Sequence, residues 1–347
     1  MFQVIKPNTK INFVGASKYA YIASFLLLVF TVVMLIYNNG PNFGVDFTGG
    51  TLIQVKFDQP VETKNIVTGL SKLNFENITV QNFSDSIASP EYLIHTDSLK
   101  MTEGNFIEKI ESVLSASTGA KTEVRRTEMV GPAIGKELQN QAMQAIFFSL
   151  LLIAIYISGR FEQRWIQSGI VGGILIAAVL LLAFFKINMF IIILMAFILT
   201  IILFWKLNLR YAMGATMALA HDVFITVGIL TFLGKEISLP IVAALLTIIG
   251  YSLNDTIIIF DRIRENIRKK SKESFTNIIN ISINETLSRT ILTSTTTLLV
   301  VTVLLIFGGG IIYDFTLTLV LGITIGTYSS IYIASPILLL WKKLSAK

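Results

Sequence analysis

Three ionisable residues lie inside segments of this chain that are otherwise apolar, and together they could carry a proton. Asp222 lies roughly 16 Å from either end of its apolar run at 1.5 Å per residue. Asp255 lies near one end of a second run, in IGYSLNDTIIIF (249–260), and Arg289 opens a third, in SRTILTSTTTLLV (288–300). An ionised side chain within a membrane costs roughly 2.5–3.5 kcal/mol on insertion scales, so these residues are expected to have a use.

Two acids and one arginine on three helices are the parts of an ion pair that can be switched. Low-dielectric surroundings favour the protonated form of a carboxyl group, and a nearby arginine favours the ionised form. Movement of Arg289 toward or away from Asp255 would therefore make the carboxylate release or take up a proton. The sequence predicts a proton relay of Asp255, Arg289 and Asp222. The alternative is that these charges only hold helices together, but such contacts average about 0.6 kcal/mol in membranes, little against the insertion cost.

Four neighbouring residues are predicted to support the relay: Asn254, His221, Thr293 and Thr297. The two threonines follow Arg289 at i+4 and i+8, so they form a polar stripe on one helix face. His221 precedes Asp222 but lies about 100° away around the helix, which is more typical of a packed polar residue.

The composition indicates an integral membrane protein. Of the 347 residues, 53% are hydrophobic and 14% are charged, whereas soluble domains carry roughly 25% charged residues. The net charge of +6 does not indicate nucleic-acid binding, because lysines and arginines cluster in short gaps between apolar runs and form no basic face. The chain has no cysteine and only two histidines, His95 and His221, too few for a histidine-built metal centre. We predict no catalytic, metal or cofactor site.

Eight apolar runs have the length of a membrane-spanning helix, about 20 residues. They cover 19–37, 140–158, 167–185, 187–205, 211–233, 239–260, 290–308 and 315–340. The sequence therefore predicts a polytopic α-helical membrane protein, with a first transmembrane helix at 19–38 and a transmembrane bundle at 139–341.

The basic residues of the short loops predict the orientation of these spans. The loops 159–166, 206–210 and 262–288 are rich in lysine and arginine, whereas each short loop on the opposite side holds at most one lysine. By the positive-inside rule, these three loops and both termini, residues 1–18 and 342–347, are expected in the cytosol.

The polar segment 39–138 is predicted to form one small ferredoxin-like α+β domain on the far, periplasmic side. Its order is strand, helix, strand, strand, helix, strand, from GTLIQVKF to EVRRTEMVG. A glycine-rich loop can cradle phosphate where a helix follows the glycines, but a strand follows here, which favours a tight turn. This glycine loop, residues 43–50, opens the domain and contains Gly44, Asp46, Gly49 and Gly50.

Several collinear stretches together resemble one family. They are FGVDFTGGT (43–51), VGPAIG (130–135), YISGRFEQRW (156–165), MALAHDV (217–223), GYSLND (250–255), RTILTSTTTLL (289–299) and GTYSSIYIASP (326–336), spread over nearly the whole chain. On these motifs the chain resembles the SecF family, the smaller subunits of the bacterial SecDF protein-export complex in the resistance-nodulation-division superfamily. Members of that family usually have six spans, so residues 167–210 look like an inserted helical pair. This pair resembles the segment before it, and duplication or coincidence of composition could equally explain that likeness.

The resemblance implies a function and a set of partners. Such proteins use the proton motive force to assist late steps of protein export across the bacterial inner membrane, which implies that Asp255 and Arg289 lie on the proton path. The implied partners are a separate SecD, the SecYEG translocon with YajC and SecA, the unfolded exported polypeptide, and membrane lipids.

Two other functions fit some of the same residues. An intramembrane serine protease needs a G-x-S-x-G loop, but residues 250–254 lack the second glycine. An aspartyl protease needs two carboxylates that share a proton, and Arg289 would disturb such a pair by holding one acid ionised.

The second alternative is a proton-driven small-molecule or lipid exporter of the same superfamily. Such an exporter usually carries two large external domains in one chain, whereas one small domain is predicted here.

The predicted orientation can be tested with single cysteines, because the chain has none of its own. Cysteines placed in 159–166 and 206–210 are expected to be protected from an impermeant thiol reagent added outside intact cells, since basic loops stay in the cytosol. A cysteine on the surface of the α+β domain is the positive control. Labelling of 206–210 from outside would rule out this orientation.

Overall fold

The structure is a computed structural model that describes residues 9–345 except 74, 76, 85–89, 98–104, 186 and 271. The ends of both predicted cytosolic termini, residues 1–8 and 346–347, lie outside the described residues. The helices are α1 (Phe13–Tyr37), α2 (Val45–Thr48), α3 (Thr63–Ser71), α4 (Phe106–Thr118), α5 (Pro132–Ile157), α6 (Trp165–Phe184), α7 (Met189–Lys206), α8 (Arg210–Phe232), α9 (Leu239–Lys269), α10 (Phe275–Phe307), α11 (Gly310–Ser329) and α12 (Ser335–Ser345). The strands are β1 (Gly50–Phe57), β2 (Thr79–Ser84), β3 (Glu91–Thr96) and β4 (Thr122–Val130). A π-helical turn follows α5 at Ser158–Glu162, and another joins α11 to α12 at Ser330–Ala334.

Within the described residues, eight helical segments are long and apolar enough to cross a membrane. They are α1, α5 to α10, and the joined α11 and α12, which confirms the predicted polytopic architecture. The stretch 262–288, predicted as a loop, is mostly helical, because α9 continues to Lys269 and α10 begins at Phe275. Arg262 and Lys269 pair with Glu265 at 2.9 and 2.6 Å, and ion pairs at this spacing stabilise a helix. Hydropathy marks the apolar part of a helix and misses such polar ends.

The α+β domain has the predicted ferredoxin-like arrangement. Its described strands form an antiparallel sheet in the order β2-β3-β1-β4, and α3 and α4 pack against it. Ile53, Val55 and Phe57 of β1 alternate along the strand and are fully buried in the core that these helices share with the sheet. This period of two is what a strand shows when one of its faces is covered.

The glycine loop turns the chain sharply into β1. Gly49 and Gly50 have positive φ angles of 78° and 120°. A Cβ atom on Gly49 would lie 2.7 Å from Pro132 Cα, and one on Gly50 would lie 2.5 Å from the carbonyl oxygen of Thr96. Glycine alone adopts such φ angles readily and needs no room for a Cβ atom. The loop therefore lies tightly between the start of α5 and the sheet.

Small residues let α11 lie close to α9 in the membrane bundle. Gly322 and Gly326 have the spacing of a GxxxG motif, which allows helix backbones to approach closely. A Cβ atom on Gly326 would lie 2.8 Å from Ser252 Cβ, and one on Gly322 would collide with Ile248. This close contact brings the hydroxyl groups of α9 and α11 within reach of α8.

The predicted inserted pair consists of α6 and α7, which form a helical hairpin beside α5. A Cβ atom on Gly159, in the π-helical turn before the hairpin, would collide with the ring of Trp165. The hairpin has a hydrophobic core of its own with α5, built from Phe147, Leu151, Leu175, Val179, Ile192 and Ala196.

A polar contact joins the α+β domain to the loop between α8 and α9. Gln81 Nε2 of β2 donates a hydrogen bond of 2.9 Å to Glu236 Oε1. Burial raises the pKa of the Glu236 carboxyl, His95 partly lowers it, and Asp314 and Asp46 raise it further. The folded protein therefore favours the protonated form of Glu236 more than the unfolded chain does.

The stability of the protein is expected to depend on the protonation of Glu236. As the pH rises above 4.5, the ordinary pKa of this group, the unfolded chain releases a proton that the folded chain retains, so stability falls. Glu236→Gln stays neutral and should remove this part of the pH dependence, whereas Glu62→Gln at an exposed site should not. Thermal unfolding of the purified protein in detergent between about pH 4 and 8 measures the difference. Superimposable pH profiles of Glu236→Gln and the parent would contradict the prediction.

Candidate functional site

Asp222 lies at the meeting point of three membrane helices. The residue belongs to α8 and is 0% exposed. Its Oδ2 accepts hydrogen bonds of 2.7 Å from Ser252 Oγ on α9 and from Ser329 Oγ on α11. Its Oδ1 lies 3.0 Å from Nδ1 of His221. Three polar groups thus surround the carboxylate, which satisfies much of the hydrogen-bonding capacity that burial would otherwise leave unused.

His221 extends this network to α1. Its Nε2 lies 3.1 Å from Ser24 Oγ, and Ser24 Oγ lies 3.0 Å from the hydroxyl of Tyr328 on α11. The Tyr328 hydroxyl donates a hydrogen bond of 2.6 Å to the carbonyl oxygen of Ala20. His221 therefore links the central acid to α1, a connection that its position beside Asp222 did not reveal.

Asp255 lies one helical turn beyond Ser252 on α9 and is also buried, at 1% exposed. Its Oδ2 accepts a hydrogen bond of 3.3 Å from Ser294 Oγ on α10, which in turn lies 2.7 Å from Thr327 Oγ1 on α11. Its Oδ1 has no hydrogen-bond partner among the described residues. A buried carboxylate with one unpaired oxygen is a poorly satisfied anion, and that oxygen is a position where a proton can bind.

Arg289 lies near Asp255 without a direct ion pair. The arginine attracts the Asp255 carboxylate electrostatically, but the described residues include no contact between the two within the 4.0 Å of a salt bridge. Arg289 and Asn254 are both exposed on the surface of this single chain. The predicted partners Asp255 and Arg289 therefore lie near each other without forming an ion pair in this structure.

The threonine stripe on α10 does not reach Asp255. Thr293 Oγ1 donates to the carbonyl oxygen of Arg289 and Thr297 Oγ1 to that of Thr293, both at 3.0 Å. Threonine hydroxyls often bond in this way to their own helix. Three serines that sequence reasoning missed bond directly to the two acids: Ser252 and Ser329 to Asp222, and Ser294 to Asp255. Sequence reasoning also missed Ser24 and Thr327, which extend the networks one step further through His221 and Ser294.

The π-helical turn at Ser330–Ala334 directly follows Ser329. Pro336 has no N–H to offer the carbonyl of Tyr332, four residues earlier, and its ring would clash there, which accounts for the widened turn. Ser335 Oγ donates a hydrogen bond of 3.0 Å to the carbonyl oxygen of Ser330. Such turns are frequent at functional sites, and Pro336 in SSIYIASP was the sequence signal for this one.

Comparisons with known proteins settle the family. The family described as "Protein export membrane protein SecD/SecF, C-terminal" matches residues 109–192 and 184–344, and the "SecD/SecF GG Motif" matches residues 35–61. The chain belongs to the SecD/SecF family. The overlap of the first two matches, at 184–192, lies inside the α6–α7 hairpin of this SecD/SecF chain.

Relatives of similar length carry the name "Protein translocase subunit SecF". The one from Vibrio alginolyticus is 41% identical over 98% of this chain and 92% of its own length. The one from Calditerrivibrio nitroreducens is 38% identical over 99% of this chain and 97% of its own length. Both relatives are named as subunits of a protein translocase, which agrees with the expectation that this SecD/SecF chain is not an enzyme.

Solved structures of SecDF resemble this SecD/SecF chain. The crystal structure of SecDF from Thermus thermophilus, described as a translocon-associated membrane protein, has a TM-score of 0.71 and 30% identity over 97% of this chain. A crystal structure of SecDF in a super-membrane-facing form has a TM-score of 0.63 and 32% identity over the whole chain. This chain spans about 40% of the length of those solved chains.

The close contact of α9 and α11 at Asp222 can be tested with two glycine substitutions. Gly326→Ala would place a methyl group 2.8 Å from Ser252 Cβ and push Ser252 away from the carboxylate, and overpacking of this kind typically costs about 1–3 kcal/mol. Gly250→Ala on α9 is the matched control, because nothing lies within 4 Å of its Cβ position. Thermal unfolding in detergent should show a lower midpoint for Gly326→Ala alone. Equal midpoints would contradict the close contact.

Proposed function

We propose that this chain uses the proton motive force to assist late steps of protein export across the bacterial inner membrane, as one subunit beside a SecD-type partner. The observation that carries the proposal is Asp255, a buried carboxylate with an exposed arginine nearby and one oxygen that no group in the described part of the chain bonds to. Ionisable groups inside membrane segments commonly belong to ion or proton pathways. The shared family supports the link between this site and export.

Arg289 acts as the movable member of the relay. When Arg289 approaches, it stabilises the ionised form of Asp255, and the proton on this carboxyl leaves. When Arg289 withdraws, the buried carboxylate takes up a new proton, which comes from the side of the membrane opposite to the one that received the first. Repetition of these two steps carries protons across Asp255, and the nearness of Arg289 to Asp255 without a direct ion pair supports this role.

Asp222 serves as a second station with a fixed environment. Ser252 and Ser329 hold one carboxylate oxygen, while Nδ1 of His221 lies 3.0 Å from the other. None of the hydrogen bonds among described residues joins the Asp222 and Asp255 carboxylates directly. The absence of such a bond disfavours the shared proton of an aspartyl protease.

A SecD-type partner covers the exposed polar face of α9 and α10. Asn254, Arg289, Thr295 and Thr296 are exposed there, and polar groups at membrane depth are normally buried in protein. The solved SecDF chains, of which this chain spans about 40%, support a partner that supplies the remainder. The partner then completes the site by enclosing Arg289.

The orientation follows from the same assignment. Both termini lie in the cytosol, and so do the C-terminal end of α9 and the N-terminal end of α10. The α+β domain lies in the periplasm, where it meets the emerging unfolded polypeptide. The chain works with the SecYEG translocon and SecA, with YajC as an associated component. The names of the relatives favour protein export over small-molecule or lipid export by the same kind of relay.

The relay predicts that titration at Asp255 matters for export and not for assembly. Asp255→Asn keeps the shape but cannot ionise, and it relieves the insertion cost, so abundance should equal or exceed that of the parent. Proton-dependent export in membrane vesicles should fall to the level of vesicles without the complex. Arg289→Met should have the same effect, because Asp255 would then never release its proton.

The matched control is Asp261→Asn, on the same helix. Asp261 is exposed and pairs with Arg160 at 2.7 Å, and an exposed pair contributes little. This variant should export normally. Full export with Asp255→Asn at normal abundance would exclude the relay, whereas loss of the assembled complex would assign Asp255 a structural role.

A further inference from the structure

The glycine loop is hydrogen-bonded to the segment that leads into α9. Gly44 N–H donates to the carbonyl oxygen of Ile237 at 2.8 Å, and Ile237 N–H donates to that of Asn42 at 2.6 Å. These bonds make a short parallel bridge between Phe43 and Ile237. Two segments that lie almost 200 residues apart along the chain thus share a small piece of sheet.

Asp46 caps the first turn of α9 from outside that helix. Its Oδ2 accepts a hydrogen bond of 2.8 Å from the N–H of Leu239, the first residue of α9. Ser238, which precedes the helix and is of a type that commonly caps helices, makes no side-chain cap bond. A carboxylate at this end also interacts favourably with the positive end of the helix dipole, so Asp46 replaces the local cap with one supplied by the domain.

Apolar packing reinforces these polar links. Phe47 is 4% exposed and belongs to the same buried cluster as Leu230 of α8, Ile237 just before α9, and Ile241 within α9. Phe43 contacts the edge of the Phe47 ring at a centroid distance of 5.9 Å. The loop is thereby held by side chains as well as by backbone.

The other end of the loop continues directly into the sheet. Gly49 and Gly50 lead from α2 into β1, the strand between β3 and β4. Their lack of space for a Cβ atom leaves little freedom for the loop to bend there. A displacement of the start of α9 would therefore be passed to the middle of the sheet.

We propose that residues 42–48 and 237–239 form a joint that makes the α+β domain and α9 move as one body. The proposal rests on the proposed function, because α9 carries both Ser252 and Asp255, the latter about 24 Å from Leu239 at 1.5 Å per residue. A shift of α9 that accompanies proton uptake or release at Asp255 is delivered through the joint to the domain that meets the exported chain. Asp46 and Phe47 are positioning residues, and neither touches the proton.

The joint can be opened by substitution and closed again by a disulfide. Asp46→Ala with Phe47→Ala removes the cap and the apolar anchor, and Asp46→Asn is the conservative control because an asparagine oxygen can still cap. Phe43→Cys with Ile237→Cys places cysteines on paired strands roughly 4.8 Å apart, within the Cα separation of about 4.4–6.8 Å that a disulfide needs. The chain has no other cysteine.

Proton-dependent export in vesicles and abundance of the complex are measured for each variant. The double alanine variant should be present at normal abundance and lose about fivefold or more of its export, the low end of typical coupling between distant sites. Oxidation of the cysteine pair should restore export in that variant, and reduction should return export to the lowered level. In the otherwise native chain, oxidation should leave export unchanged, because the disulfide links two segments that already move together.

Three results would overturn the joint: normal export by the double alanine variant, failure of the disulfide to restore export, or arrest of the otherwise native chain by oxidation. Asp255→Asn is measured in the same vesicles. Normal export by Asp255→Asn would show that the relay is wrong, whatever the cysteine pair does. Loss of export by Asp255→Asn together with normal export by the double alanine variant would leave the relay intact and exclude the joint.

Discussion

The cost of holding an acid away from water determines how this membrane bundle is built. Asp222 is fully buried between three helices, and its carboxylate is tolerated because Ser252, Ser329 and His221 reach it from three directions. Such reach requires the helices to lie close together, which in turn requires Gly326 and Gly322 on α11. The small residues of α11 thus allow the close approach through which the hydroxyl groups of Ser252 and Ser329 reach the buried acid.

The sequence was sufficient for features that depend on local patterns. Apolar runs identified the spans, the period of two identified the strands of the α+β domain, and the acids stood out because their surroundings are apolar. The hydrogen-bond partners could not be predicted, because Ser24 lies 197 residues from His221 and Ser329 lies 107 from Asp222. Serine and threonine in a membrane helix can equally bond to their own backbone, as Thr293 does, so their type alone does not reveal a distant contact.

The two acids differ in how many of their carboxylate oxygens have hydrogen-bond partners within this chain. Asp222 has partners on both oxygens, whereas one oxygen of Asp255 has no hydrogen-bond partner among the described residues and the nearby Arg289 is exposed. One site is thus complete in the single chain, and the other is left open at the face where a second chain is proposed to bind. Assembly and proton chemistry would then be linked at Asp255 and independent at Asp222.

The π-helical turn before Pro336 divides the last span into two mechanical parts. On one side, Trp341 of α12 is fixed by a hydrogen bond of 2.6 Å from its Nε1 to Asn208 Oδ1 and by the neighbouring ring of Trp205. On the other side, Ser329 contacts the central acid. The hydroxyl of Ser335 donates to the carbonyl oxygen of Ser330 at the start of the wide turn, a side-chain bond of the kind that serine often makes to its own helix. The contacts of the last span are thus divided at the turn: the half before it bonds to the central acid through Ser329, and the half after it bonds through Trp341 to the loop that precedes α8.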